Sequence, residues 1–199
     1  MIELINDKNK HTVKNRISSV TFTYPVTNSF HFGNYERQDI LHNLKITLKN
    51  ADKKMSHKTY VRGSMTDWQC FKHDKNFSQF FTETMNKLQP VFFPQFQLST
   101  DLKVFDAWGN VLKKGEHVEA HTHQCWHGIL YLTEGTSLEF PEIQMKFTPK
   151  PGDWILSPPG ILHGVRAVED EKERMNIVFN FHMGDGFRDV NTRYGTLED

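Results

Sequence analysis

The spacing of hydrophobic positions changes period twice along this chain. In residues 17–24, Val20, Phe22 and Tyr24 alternate with Thr21 and Thr23, which predicts a strand ended by Pro25. Phe30 and Phe32, either side of His31, predict a short second strand closed by Gly33. The period then lengthens. Ile40, Leu41, Leu44 and Leu48 fall at helical spacing and predict a helix over 37–51 whose apolar stripe packs into the core. A second helix is predicted over 77–88, with Asn76 as N-cap, a buried face of Phe77, Phe80, Phe81, Met85 and Leu88, and Pro90 as its stop. Residues 52–58 read as a loop. Residues 58–68 carry no clear period, and Gly63 marks a turn there. From Gln95 the period is two again. Strands are predicted at 102–111, 115–123, 127–134, 136–140, 145–149, 153–157, 163–168 and 174–182. Turn signals at Gly115, Gly135, Gly152 and Gly160 separate them.

Two amphipathic helices followed by eight short strands predict an all-β dominated fold, a jelly-roll barrel with both helices packed on its outer face. At 199 residues the chain is expected to be a single domain, 1–199. Within it, 1–16 read as a polar, mobile start, 17–90 as strand and helical support, 95–182 as the barrel, and 183–199 as a C-terminal tail or lid. Sixteen phenylalanines fit a β-rich core. The 24 basic and 24 acidic residues cancel, which argues against general nucleic-acid binding. Cys70 and Cys125 make no disulfide framework, so a reducing, cytoplasmic setting is expected. No apolar leader and no membrane-spanning run is evident, so no membrane partner is expected.

The chemistry gathers between residues 115 and 180. Strict alternation places His117, Glu119, His121 and His123 on one strand face and Val118, Ala120 and Thr122 on the other. Two imidazoles two residues apart can address one ion. His163, on another strand after the tight Pro158–Gly160 turn, completes a metal set suited to Fe(II), and also to Zn, Ni, Cu or Mn. Glu119 either supplies a carboxylate ligand or orients an imidazole. His117 and His127 read as structural or rim residues, and Cys125, close after the His pair, as an inert or oxidation-prone thiol in preference to a thiolate ligand. On the last strand, Arg174, Asn176, Val178 and Asn180 share one face, and Met175, Ile177, Phe179 and Phe181 the other. If the Phe face meets the helices, Arg174 points into the barrel, where a buried guanidinium needs an anion. The alternative is a surface ion pair with Glu169, Asp170 or Glu173. Tyr131 either bonds the same anion or packs in the core. Asn110 either offers an amide to the site or serves a turn.

Two resemblances meet at these residues. Gly115, His121 and His123 resemble the first cupin motif, and Gly152, Pro158, Gly160 and His163 the second. The cupin glutamate ligand is missing, and His127 stands near its place. Over residues 60–182 the chain also resembles the 2-oxoglutarate/Fe(II) oxygenases of the prolyl-hydroxylase-like group. That likeness rests on the stretches 108–111, 120–123, 126–132, 151–153, 162–163 and 173–180. It implies a double-stranded β-helix that binds Fe(II), 2-oxoglutarate and O2, hydroxylates a substrate, and releases succinate and CO2. It implies that Arg174, about ten residues after His163, grips the far carboxylate of 2-oxoglutarate, with Tyr131, Asn176 and Asn110 assisting. The superfamily pattern is His-x-Asp/Glu…His, and His123 stands at the carboxylate position. Iron is then held by His121, His123 and His163, or by His121, His163 and Glu119. A three-His iron site also occurs in cupin thiol dioxygenases, so one rival is a metal-dependent cupin dioxygenase or isomerase that uses no 2-oxoglutarate. A second rival is a non-catalytic small-molecule-binding cupin. The substrate class stays open between a peptidyl side chain and a small molecule. Residues 52–76 and 183–199 are candidate lids, and residues 17–32 a candidate edge for a homodimer.

Overall fold

The computed structural model describes residues 2–4, 17–22, 28–55, 59–92 and 102–183. The chain opens with β1 (Ile2–Leu4), β2 (Ile17–Phe22) and β3 (Asn28–Asn34), followed by helix α1 (Gln38–Asn50). Three short strands come next, β4 (Lys54–Met55), β5 (Val61–Arg62) and β6 (Ser64–Met65), and then helix α2 (Lys75–Phe92). The remaining strands are β7 (Leu102–Leu112), β8 (His117–His121), β9 (Trp126–Tyr131), β10 (Leu138–Phe140), β11 (Met145–Phe147), β12 (Asp153–Ser157), β13 (His163–Val165) and β14 (Arg174–Met183). They form a major sheet in the order β2-β3-β12-β9-β14-β7-β6-β4 and a minor sheet in the order β1-β11-β10-β13-β8-β5. All pairings between these strands are antiparallel. Two facing antiparallel sheets of this kind are the double-stranded β-helix.

The major sheet carries apolar residues on both faces, and alternation sorts them between two cores. Met175, Ile177, Phe179 and Phe181 of β14 pack with Ile40, Leu41, Leu44 and Leu48 of α1 and with Phe77, Phe80 and Phe81 of α2. Phe179 meets Phe77 and Phe81 edge-on, at 5.3 and 5.6 Å between ring centroids. The opposite face turns Trp108, Ile129, Tyr131, Ile155 and Val178 toward Leu138, Phe140, Met145 and Val165 of the minor sheet. The helices therefore insulate one face of the sheet, and the functional residues lie on the other.

Several elements differ from expectation. Residues 2–4, read as part of a mobile start, form β1 and pair with β11, Ile2 opposite Phe147. Residues 5–16, Tyr24, Pro25 and residues 184–199 lie outside the described residues, so the tail or lid expected over 183–199 is described only at Met183, the last residue of β14. The cap of α2 is Asp74 rather than Asn76: its carboxylate accepts the backbone N–H groups of Asn76 and Phe77 at 2.8 and 3.1 Å. The helix also runs past Pro90 to Phe92, since a proline in the last turn removes one hydrogen bond near an end rather than a central one. The stretch without period, proposed as part of a lid, is built into both sheets. β5 lies beside β8, with Val61 opposite Val118, and β6 lies beside β7, with Met65 opposite Asn110. Gly63 makes the crossing possible, because a Cβ there would come within 2.5 Å of Leu112. β2 is an edge of the major sheet. Among the described residues no helix is long and apolar enough to cross a membrane.

One irregularity sets up the site. His163 pairs with His121, but Val165 pairs with Val118, so three steps along β8 match two along β13. The extra residue is a β-bulge. Gly164 lies against it, where a Cβ would stand 3.0–3.2 Å from backbone atoms of Val118 and Ala120.

Candidate metal centre and adjoining cleft

The bulge reverses the alternation that the sequence implies. Val118 packs inward with the minor-sheet core, and His121, three residues later, also points inward. Glu119 is left on the outside, where its carboxylate pairs with Arg62 at 2.9 Å, both side chains being exposed. The expectation that His117, Glu119, His121 and His123 share one face is therefore corrected, and with it the Glu119 side chain as a substitute ligand. What Glu119 does supply is its backbone carbonyl, which accepts the Nδ1–H of His121 at 2.8 Å.

His121, His123 and His163 converge, with ligand nitrogens all within 4.8 Å of one another. Each ring has its Nδ1 engaged: His121 by Glu119 O, His163 by Ile161 O at 3.0 Å, and His123 by Asn180 Oδ1 at 2.9 Å. All three partners are acceptors, so Nδ1 carries the proton and each Nε2 keeps a free lone pair. The Nε2 atoms of His121 and His123 are 3.2 Å apart. Two nitrogens bound at right angles to one ion, each about 2.1 Å from it, would stand about 3 Å apart. That pair therefore fits a shared first-row metal ion, and the His163 nitrogen lies near enough to join it. Burial pushes His123 down to about 4 and His163 to about 3, and lowers His121 as well, which keeps the rings in their neutral, metal-binding form.

Ring packing fixes this cluster. Tyr60 lies flat on His121 at 4.7 Å, and the fully buried His127 stacks on His123 and His163 at 4.2 and 4.5 Å. Neither nitrogen of His127 has a partner among the described residues. Trp108 lies nearly parallel to His123 at 6.3 Å, and the half-exposed Trp68 caps Trp108 edge-on at 4.5 Å.

The same cleft reaches Arg174, Asn110 and Asn176, between apolar walls that include Val61, Ile129 and Val178. Among the described residues no carboxylate lines it. Arg174 is 1% exposed, which removes the surface ion-pair alternative. Its Nε donates to Thr136 O at 3.0 Å, its guanidinium sits 5.1 Å from the Tyr131 ring centroid, and its Nη2 has no well-aligned partner among the described residues. The Tyr131 hydroxyl is also buried without a well-aligned hydrogen bond, and burial pushes it up to about 12. Asn110 and Asn176 face each other across β7 and β14, and each leaves its Oδ1 unsatisfied. Leaving a buried donor or acceptor unpaired costs about 1–3 kcal/mol, and more where it is charged. The Arg174 guanidinium and the Tyr131 hydroxyl are donors that suit an anionic group, and the two amide oxygens are acceptors that suit a donor. Cys125 is a buried free thiol that burial pushes up to about 12, which leaves it unreactive.

Sequence reasoning singled out Arg174, Tyr131, Asn110, Asn176 and the three histidines, and the structure brings all but Tyr131 into the cleft lining, with Tyr131 beside Arg174. It missed Asn180, Tyr60, Trp108 and Trp68. Asn180 was legible as a member of the inward face of β14. The three aromatics carried no local signal.

The fold is that of structures described as 2-oxoglutarate/Fe(II) oxygenases, prolyl hydroxylases among them. A Pseudomonas putida prolyl-4-hydroxylase superposes with a TM-score of 0.59 at 15% identity, over 77% of this chain and 91% of that one. The viral collagen prolyl hydroxylase of Paramecium bursaria Chlorella virus-1, in its 2-oxoglutarate complex, gives 0.58 at 13% identity, over 76% and 94%. HygX from Streptomyces hygroscopicus, with nickel, 2-oxoglutarate and hygromycin B bound, gives 0.58 at 11% identity, over 79% and 83%. No protein-family profile matches the sequence, and no curated protein matches it.

Proposed function

We propose that this protein is an Fe(II)- and 2-oxoglutarate-dependent oxygenase that hydroxylates an organic substrate and releases succinate and CO2. The observation that carries the reading is a buried guanidinium with an unpaired Nη2, in one cleft with three imidazoles whose free nitrogens converge. When bound, the iron supplies the redox chemistry that couples decarboxylation of 2-oxoglutarate to oxidation of a substrate C–H bond by O2. His121, His123 and His163 would hold it, each ring oriented by its Nδ1–H bond. Arg174 pairs with the distal carboxylate of the cosubstrate, and the Tyr131 hydroxyl donates to the same group. Asn110 and Asn176 offer amides to its polar atoms, and the apolar walls exclude water from the reacting centre. The substrate approaches past Tyr60 and Trp68, the exposed rings nearest the cluster. The fold neighbours support this reading, since two of them are described with 2-oxoglutarate bound. Their names span a peptide-like and a small-molecule substrate, and the substrate here is proposed only as one of these two classes.

A second reading has one observation in its favour. His123 stands where the oxygenase pattern places a carboxylate, and a three-His site also suits a metal-dependent cupin dioxygenase that uses no 2-oxoglutarate. Arg174 would then hold the carboxylate of the substrate itself. One anaerobic titration separates the two. Fe(II) is added to metal-free protein, followed by 2-oxoglutarate, and the visible spectrum is recorded. A charge-transfer band that needs both additions is expected. Bound iron with no such band would transfer Arg174 to substrate binding.

A further inference from the structure

We propose that Asn180 is a positioning residue for the metal: by accepting a hydrogen bond from the Nδ1–H of His123 it makes that ring the third protein ligand. The inference rests on the reading that a metal sits among the three imidazoles. The three rings are not held alike. His121 and His163 lie on strands, and each donates Nδ1–H to the carbonyl two residues before it, Glu119 O and Ile161 O, so their own backbone orients them. His123 follows the end of β8 and has no such local partner. Among the described residues its backbone is tied through its carbonyl, which accepts Gly160 N–H at 2.8 Å. Its ring is held from across the barrel, by Asn180 Oδ1 at 2.9 Å.

Asn180 can do this because it is itself held at both ends. It is buried on the inward face of β14, opposite Asp106 of β7, and its Nδ2 donates toward Asp106 Oδ2 at 3.4 Å. The amide nitrogen is thus drawn outward to a carboxylate, and the carbonyl oxygen faces His123. The β14–β7 register shifts immediately after Asn180, where one residue of β7 is passed over, and this holds Asp106 opposite it. The chemistry explains the need. A carboxylate ligand offers equivalent oxygens and needs no partner to prepare it. An imidazole in that place must carry its proton on the nitrogen facing away from the metal, and a fixed acceptor behind the ring selects that tautomer.

The test is Co(II) titration of the metal-free full-length chain, followed by the visible d–d bands. Asn180→Leu, which keeps the bulk and removes the acceptor, is expected to weaken Co(II) about 10- to 100-fold and to alter the bands. Asn180→Asp combined with Asp106→Asn, which exchanges the carboxylate and the amide, keeps an acceptor toward Nδ1–H with an amide donor behind it and is expected to restore both. In a His123→Asp background the ligand no longer needs a tautomer set, so adding Asn180→Leu should change the Co(II) affinity by less than roughly twofold. If Asn180→Leu does not fold, Asn180→Ser, too short to reach the ring, is expected to give the same loss. The proposal is overturned if Asn180→Leu binds Co(II) like the unaltered chain while His123→Ala does not. It is equally overturned if Asn180→Leu costs as much in the His123→Asp background, which marks general damage. If His123→Ala leaves affinity and bands unchanged, His123 is not a ligand and the underlying reading fails first.

Discussion

Arg174 is the residue whose energetics say most about the ligand. It is buried with one bond to Thr136, an aromatic face beside it and no counter-charge among the described residues. A buried charge without a partner is a liability in the empty protein and an asset once an anion arrives. Arg174→Met should therefore leave the metal-free, ligand-free protein as stable or more stable in urea. The same change should weaken 2-oxoglutarate by about 10- to 100-fold, the worth of hydrogen bonds to a charged group, with Fe(II) affinity unchanged. Calorimetric titration of the Fe(II) protein checks this, and an unchanged cosubstrate affinity would return Arg174 to a structural role. The inward direction of Arg174 was legible because the alternation of β14 is unbroken from Arg174 to Asn180. Tyr131 was named as a possible companion of Arg174, but the bond to Thr136 O was not legible, because a pairing distant in sequence brings that carbonyl to it.

At the scale of elements, the deciding feature is the bulge in β8. Period-two reasoning found the strand but gave Glu119 the direction of His121, because the extra residue leaves no mark in β8 itself. The hint lay on another strand, in Gly164, whose missing side chain makes room for the bulged backbone. Gly164→Ala is expected to destabilise the protein by about 1–3 kcal/mol, the usual cost of overpacking, and to weaken Co(II) because His121 and His163 flank the strained point. Urea denaturation and metal titration measure the two effects. Normal metal affinity in a destabilised variant would detach the bulge from the site. The helices were the easier elements, since a stripe such as Ile40, Leu41, Leu44 and Leu48 depends only on local spacing. Residues 59–66 were illegible for the opposite reason: two-residue strands acquire meaning only from the sheet edges they join.

For the molecule as a whole, the number of buried neutral imidazoles sets the response to acid. His31 and His123 are pushed down to about 4 and His163 to about 3, chiefly by burial. Above about pH 6.5 these groups are neutral in both folded and unfolded chains and contribute no pH dependence. As pH falls from there toward 4 the unfolded chain takes up protons that the folded chain refuses. Each group then costs up to about 1.4 kcal/mol of stability per pH unit. The metal-free protein should lose Tm steeply between pH 6.5 and 4, and metal-loaded protein should lose metal over the same range. A flat Tm across that interval would mean the rings are more open to water than their packing implies. The two-core plan that buries them was legible from alternation, with one face of β14 all apolar and the other mixed.

The bulge has a consequence for how such a protein can change over generations. The inward aim of His121 depends on the number of residues between it and Val118 as much as on its being histidine. Loss or gain of one codon there would turn the imidazole out to solvent while every residue type stayed the same. Heritable variation in strand length at this point therefore acts on the chemistry directly, and an alignment of this chain with a regular-stranded relative matches His121 to its counterpart only if a gap falls between Val118 and His121.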